Sequence, residues 1–311
     1  MNDVLKILDK LLKKKGYAIK KHSEYNLLPL KNLQNNLSLK MTYKAFDKKE
    51  RITVSDNVSR LNICLRTCIN KKRARHNYNE LTGVAIEEHL LKCVQSLVIS
   101  INEAVKKNKI IKLTVFDDRS DGVPLEKMNN LLNMLMCDWE IIKTENTGQG
   151  NSLYENFNFA REKNSLFYFC EDDYLHIPEA INEMVDFYQG VHKEISAHLL
   201  IHPQEHELIY SQINYPSYIL EGRNRRWRTI SHSTHTFFTH SSVVDKYWEY
   251  FSNTKYVGHK GKRHLGSEKQ TTDKLFSHIL GFSPIPAVAV HLQSKDSLPP
   301  FFHWENIWND I

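Results

Sequence analysis

No apolar run in this chain approaches the roughly 20 residues that a membrane-spanning helix needs. The first residues also lack the apolar core of a secretory signal, so a cytoplasmic location is expected. Cysteine is scarce. The five residues Cys64, Cys68, Cys93, Cys137 and Cys170 are odd in number and mostly embedded in apolar runs, which reads as reduced core thiols. Cys64, Cys68 and Cys93 are followed by no second close pair, so a structural zinc is not expected. Neither sign of charge dominates: 42 Lys plus Arg against 36 Asp plus Glu give a formal +6, a mild lean toward anionic partners. The chain shows no internal repeat, no long low-complexity linker and no recognised RNA-binding motif, and nucleic acid is not an expected partner.

What is present is an ordinary globular composition, 41% hydrophobic and 25% charged over 311 residues, enough for one large domain or two. Residues 1–60, rich in Lys and Asn, read as a basic N-terminal extension, helical at first and then irregular. Within it Val4, Leu5, Leu8, Leu11 and Leu12 recur at helical spacing beside Lys6, Lys10, Lys13, Lys14 and Lys15. Such a helix docks on the protein's own body or lies on an anionic membrane, at its inner face.

From Leu61 onward strands and helices alternate. LNICLRT, IIKLTVF, Trp139–Ile142 and Leu166–Cys170 read as strands. Helices are expected from Ile86 to Ile101, near Pro124, from about Ser152 and from Pro178 to Tyr188. Ser152 and Glu155 have capping-box spacing. After Ala197 the pattern loosens, with strands in AHLLIH, WRTISHSTHTFFTH and AVAVHL and helices over Ser242–Phe251 and Thr272–Leu280. This alternation predicts an α/β, Rossmann-like domain over residues 61–311, its mostly parallel sheet flanked by helices. Residues 61–195 carry the regular alternation and residues 196–311 form a second, looser half.

The segment LFYFCEDDYLH carries the most chemistry. An apolar strand stops at Glu171, Asp172 and Asp173, adjacent carboxylates that repel one another unless solvent, a shifted pKa or a cation relieves them. Two other strands end in polar groups, Arg66 with Thr67, and Asp117 to Asp121. In a parallel sheet all three endings line one crevice, which is how a nucleotide pocket is built. ENTGQGNS adds two glycines before a helix, where backbone N–H groups can approach an anion. In GRNRRWRTISHSTHTFF, Trp227 offers a face for a sugar and Arg228 a fork for a phosphate; a plain basic surface or an RNA patch fits the same residues.

Taken together, LTVFDDRSDG, ENTGQGNSLYENFNFA and FYFCEDDYLH resemble the second-strand aspartates, the asparagine-glycine segment and the metal-binding acidic motif of GT-A glycosyltransferases, family 2 in particular. The likeness runs from about Leu61 to the C-terminus. It implies that Thr67, Asp117 and Asp118 bind the base and ribose of a nucleotide sugar, with Arg66, Asn146 and Asp172 in the same pocket. Glu171 would face the ribose, although the family's first acid is usually Asp. Asp173 would hold Mn²⁺ or Mg²⁺, ions that take hard oxygen ligands and substrate phosphates. His291, at the end of AVAVHL, would reach the metal or the diphosphate, and Glu268 or Asp273 would be the general base. Glu268 is favoured because a loop residue reaches into a cleft, whereas Asp273 also suits the start of a helix.

The activity so implied is transfer, by inversion in the sense of a single displacement, of a sugar from a nucleoside-diphosphate donor to the hydroxyl of a glycan or lipid-linked acceptor. A sugar nucleotidyltransferase is the rival enzyme, but Arg66, Thr67 and Cys68 stand where its glycine-rich loop belongs. A non-catalytic binding module of the same fold is the other alternative.

Overall fold

Strand β1 (Arg60–Thr67) is buried along most of its length, as a central parallel strand must be. The computed structural model describes residues 56–70, 81–195, 197–205, 217–295, 298, 299 and 302–311, together with Leu12, Asn26 and Leu27. The expected Lys-rich amphipathic helix lies outside these residues except for Leu12. Asn26–Leu27 pairs antiparallel with a later strand, Ile219–Glu221, so part of the extension joins the edge of the main sheet.

After β1 come α1 (Ile86–Lys106), β2 (Ile110–Asp117), α2 (Gly122–Leu132), β3 (Asp138–Lys143), α3 (Gln149–Ala160) and β4 (Leu166–Glu171). The order β3-β2-β1-β4 is parallel throughout. The chain builds outward from β1 on one side and then returns to place β4 on the other. That reversal opens a crevice beyond the carboxyl ends of β1 and β4.

Alternation along the strands divides the core. Leu61, Ile63 and Leu65 pack with Leu90, Val94, Leu97 and Ile101 of α1, whereas Cys64 joins Phe157, Phe167, Phe169 and Phe237 on the opposite face.

Past β4 the chain leaves the main sheet as β5 (Tyr174–His176), then forms α4 (Ala180–Ile195), β6 (Leu199–Ile201), β7 (Ile219–Glu221), β8 (Arg226–Ile230) and β9 (Phe237–His240). Short helices α5 (Ser241–Lys246), α6 (Trp248–Ser252) and α7 (Thr272–Leu275) precede β10 (Leu280–Ile285), β11 (Ala289–His291) and α8 (Trp304–Asp310). β9 joins antiparallel to β4 and extends the sheet through β6, β10, β8 and β7, giving ten strands with Asn26–Leu27. The class is α/β, a mixed central sheet flanked by helices with a wholly parallel first half. β5 and β11 form a separate antiparallel ribbon.

Two local expectations are corrected. The helix expected over Thr272–Leu280 ends at Leu275, because Leu280 to Phe282 pair with Leu199 to Ile201 and fill a gap in the sheet. The helix over Ser242–Phe251 is two helices divided at Tyr247. The last element, α8, packs its Trp308 with Leu175, Val290 and Leu292 beneath the ribbon.

Burial holds three histidines of this fold toward the neutral form. His176 is fully enclosed, with Nε2 2.9 Å from the Tyr168 hydroxyl and Nδ1 3.0 Å from the Tyr174 carbonyl. Burial pushes it down to about 4, and burial likewise pushes His198 and His240 down to about 3. The unfolded chain therefore binds more protons than the native one below an ordinary histidine value near 6.5, and stability is lost as pH falls from about 6.5 toward 4. Urea midpoints measured at pH 7 and pH 4.5 are expected to fall on acidification, and His176→Gln is expected to fall less. An equal fall would remove His176 from this account.

Candidate functional site

The crevice at the carboxyl ends of β1 and β4 is built around a charge pair. Arg66 and Glu171 are register partners on these parallel strands, and the guanidinium is in contact with the carboxylate. Arg66 also donates to Ser152 Oγ in α3 at 3.3 Å, so one cation joins β1, β4 and the helix. Asp172 turns inward, and its Oδ2 accepts the Cys68 backbone N–H at 2.9 Å. The acidic triplet is thus divided among different partners, which relieves the repulsion of adjacent carboxylates.

Asp173 faces the ribbon. In the ladder between β5 and β11, His291 lies opposite Tyr174, and the Leu292 N–H donates to the Asp173 carbonyl at 2.9 Å. The His291 ring stacks on Tyr174 at 4.8 Å and 5°, and its backbone N–H donates to Gln204 Oε1 at 2.6 Å. These contacts place His291 Nε2 3.1 Å from Asp173 Oδ2. One ligand atom each from Glu171, Asp173 and His291 all lie within 4.8 Å of one another.

This donor set fits a divalent cation. Ligands about 2.1 Å from one ion stand about 3 Å apart in adjacent octahedral positions. The Asp173 to His291 contact has that separation, and Glu171 needs a modest approach. The imidazole nitrogen favours Mn²⁺ over Mg²⁺, which prefers oxygen alone.

Beside this trio, Asp117 and Asp118 act as loop clamps. Asp117 accepts from Thr67 Oγ1 at 3.0 Å, from the Ser120 N–H at 3.3 Å, and from the Ser120 hydroxyl and the Lys143 ammonium. Asp118 Oδ2 accepts the Gly148 N–H at 2.9 Å, and Arg119 covers Oδ1 at 2.7 Å. Both acids are buried. Their expected contacts with base and ribose would require these bonds to exchange, because the oxygens already hold together the ends of β1, β2 and β3 and the start of α3.

That helix begins earlier than expected. Gly148, at φ +102°, precedes Gln149, and Ser152 lies inside the first turn, where its hydroxyl donates back to the Gln149 carbonyl at 3.1 Å. The capping box is therefore replaced: Glu155 accepts the N–H groups of Glu145 and Asn146, each at 3.0 Å. The Asn146 side chain remains exposed at the rim. Gly150 admits no side chain, since a Cβ would stand 2.5 Å from the Lys255 carbonyl oxygen. The helix start thus seats the loop that leads on to Glu268.

Glu268 lies in a short 3₁₀ turn with its side chain 43% exposed and Oε1 3.6 Å from His235 Nδ1. Asp273 is committed elsewhere: Oδ2 contacts His232 Nδ1 at 2.8 Å and Oδ1 accepts the Ser233 N–H at 3.3 Å. The hydrogen bond that His232 donates to Asp273 raises His232 against the effect of burial. Of the two, Glu268 has the open carboxylate.

Trp227 and Arg228 are not brought to this crevice. β8 lies four strand spacings from β4, roughly 19 Å at about 4.8 Å per strand. Trp227 is 2% exposed and stacks on Phe187 at 3.9 Å, so the expected sugar platform is a core residue. Arg228 donates to Ser217 Oγ at 2.7 Å in the same distant part of the sheet. Their Arg- and His-rich segment instead supplies His235, which alternating burial alone could not distinguish from its neighbours.

No protein-family profile matches the chain, and no curated protein matches it. Among solved structures, S. aureus TarS is similar over 72% of this chain and 36% of its own, with 13% identity and a TM-score of 0.41. UDP-glucose pyrophosphorylase complexed with UDP-glucose is similar over 80% of this chain and 98% of its own, with 12% identity and a TM-score of 0.44. The inositol-1-phosphate CTP transferase from T. maritima is similar over 81% and 96%, with 13% identity and a TM-score of 0.41. Likenesses this distant carry no functional argument.

Trp227→Ala is expected to cost about 3–5 kcal/mol in urea unfolding, through the cavity left beside Phe187. Mn²⁺ affinity of the fraction that remains folded should be unchanged. Loss of Mn²⁺ binding without loss of stability would return Trp227 to the site.

Proposed function

We propose that the chain is a divalent-metal-dependent transferase that moves a sugar from a nucleoside-diphosphate donor to a hydroxyl acceptor. The observation that carries this reading is the convergence of Glu171, Asp173 and His291 in the crevice where the parallel strand order reverses. Asp173 and His291 would hold Mn²⁺ or Mg²⁺, with Glu171 completing the set when it turns from Arg66. When bound, the ion would supply positive charge to the departing diphosphate.

The chain's own groups have distinct tasks in this scheme. Arg66, released from Glu171, is a second cation at the mouth of the crevice. The start of α3 is tied to Arg66 through Ser152, and a helix N-terminus suits an anion. Thr67, Asp117 and Asp118 shape the nucleotide side by fixing the ends of β1 to β3 and the loop before α3. Glu268, whose carboxylate is open, is the general base for the acceptor hydroxyl in a displacement with inversion. A glycan or lipid-linked hydroxyl is the acceptor class proposed. Among the described residues no helix is long and apolar enough to cross a membrane.

A thermal-shift panel of UDP, GDP, CDP and dTDP sugars, with and without Mn²⁺, tests the site, since a ligand that binds only the folded state raises its melting temperature. One donor is expected to give a shift that requires Mn²⁺. Asp173→Asn should abolish that shift and lower transfer by on the order of 100-fold or more, and His291→Ala should narrow the preference for Mn²⁺ over Mg²⁺. Unchanged metal dependence in Asp173→Asn would defeat the proposal. Pyrophosphate release from a nucleoside triphosphate and a sugar phosphate would instead identify a sugar nucleotidyltransferase.

A further inference from the structure

The contacts around His235 bear on how Glu268 works. The imidazole is buried between β8 and β9 beside Phe157, with ring centroids 6.5 Å apart. Its Nε2 stands 3.1 Å from Thr271 Oγ1, and that hydroxyl lies 2.9 Å from the Ser267 carbonyl. A carbonyl oxygen only accepts, so the single hydroxyl hydrogen of Thr271 is directed to Ser267. Thr271 Oγ1 is then left as an acceptor, and His235 must carry its proton on Nε2. The lone pair of Nδ1 consequently faces Glu268 Oε1, 3.6 Å away.

A lone pair opposite a carboxylate is stable only when a proton lies between them or when they stay slightly apart. The observed separation is longer than a hydrogen bond and shorter than the space a water molecule needs between them. We infer that His235 and Glu268 form a proton-sharing pair, in which Glu268 takes the proton of the acceptor hydroxyl and His235 Nδ1 receives it from Glu268. The inference rests on the transferase reading above and adds a positioning residue to it.

The step balances. The acceptor O–H bond breaks and its proton goes to the Glu268 carboxylate, while the acceptor oxygen bonds to the anomeric carbon. The bond from that carbon to the diphosphate oxygen breaks, and its electron pair leaves with the diphosphate. The proton then passes to Nδ1, which restores the carboxylate and leaves an imidazolium whose Nε2–H still donates to Thr271. Glu268, Glu171, Arg66 and Asp273 are the charged groups acting on this imidazole. Burial opposes its protonation, and the carboxylates favour it.

Nitrogen NMR of the histidine rings in the intact protein tests the pair without reference to catalysis. His235 is expected as the Nε2–H tautomer, and its titration midpoint should move to lower pH in Glu268→Gln. An Nδ1–H tautomer, or an unmoved midpoint, overturns the inference. With the donor found by the thermal-shift panel, His235→Gln retains a donor toward Thr271 but removes the acceptor facing Glu268. Transfer is expected to fall on the order of 100-fold at unchanged donor KM, and the acidic limb of kcat/KM should move. An unmoved limb would reduce His235 to a packing residue. If no donor binds with Mn²⁺, the transferase reading fails, while the NMR result still decides whether the pair exists.

Discussion

The hydrogen-bonded ribbon of β5 and β11 joins the early and late parts of the candidate site. Glu171 and Asp173 come from the end of a core strand, and His291 arrives more than a hundred residues later. Main-chain pairing fixes register to one residue, and a shift by one would turn His291 to the opposite face. The stack on Tyr174, the bond from Leu292 to the Asp173 carbonyl and the apolar cluster around Trp308 hold that register. Residues far from the crevice, in α1 and α8, thus determine whether three ligand atoms converge.

Electrostatics sets the second constraint. Carboxylates withdrawn from water must be paired, and each acid here has a separate solution. Glu171 meets Arg66, Asp172 meets a backbone N–H, Asp117 is surrounded by donors, and Asp173 stands beside an imidazole. The pairings differ in how readily they exchange. Asp117 is enclosed by several donors, whereas Glu171 is partly exposed and Asp173, though buried, turns one oxygen to an imidazole that an ion can share.

Much of this arrangement was legible from residue pattern. The apolar strand ending in three acids, the alternating elements and the terminal position of His291 in AVAVHL are local signals, and the fold keeps them together. Longer-range packing was not legible. Trp227 looked available because a basic, aromatic segment has no way to declare which face its strand buries, and α4 covers that face through Phe187. The expected helix ran on to Leu280, but a vacancy between β6 and β8 takes Leu280 into a strand. His235 was hidden among other histidines because its role depends on a tautomer, and that depends on where the Thr271 hydroxyl points. Capping-box spacing at Ser152 failed for a related reason: Gly148 starts the helix a turn early, and Arg66 engages the serine.

The central claim is that one divalent ion is bound jointly by groups from β4 and β11. Pulsed EPR of the Mn²⁺-loaded protein tests it most directly, because a coordinated imidazole nitrogen modulates the electron spin echo. The account predicts nitrogen modulation in the native protein that disappears in His291→Ala while the manganese stays bound. Modulation that survives His291→Ala, or bound Mn²⁺ with no nitrogen coupling in the native protein, would contradict it.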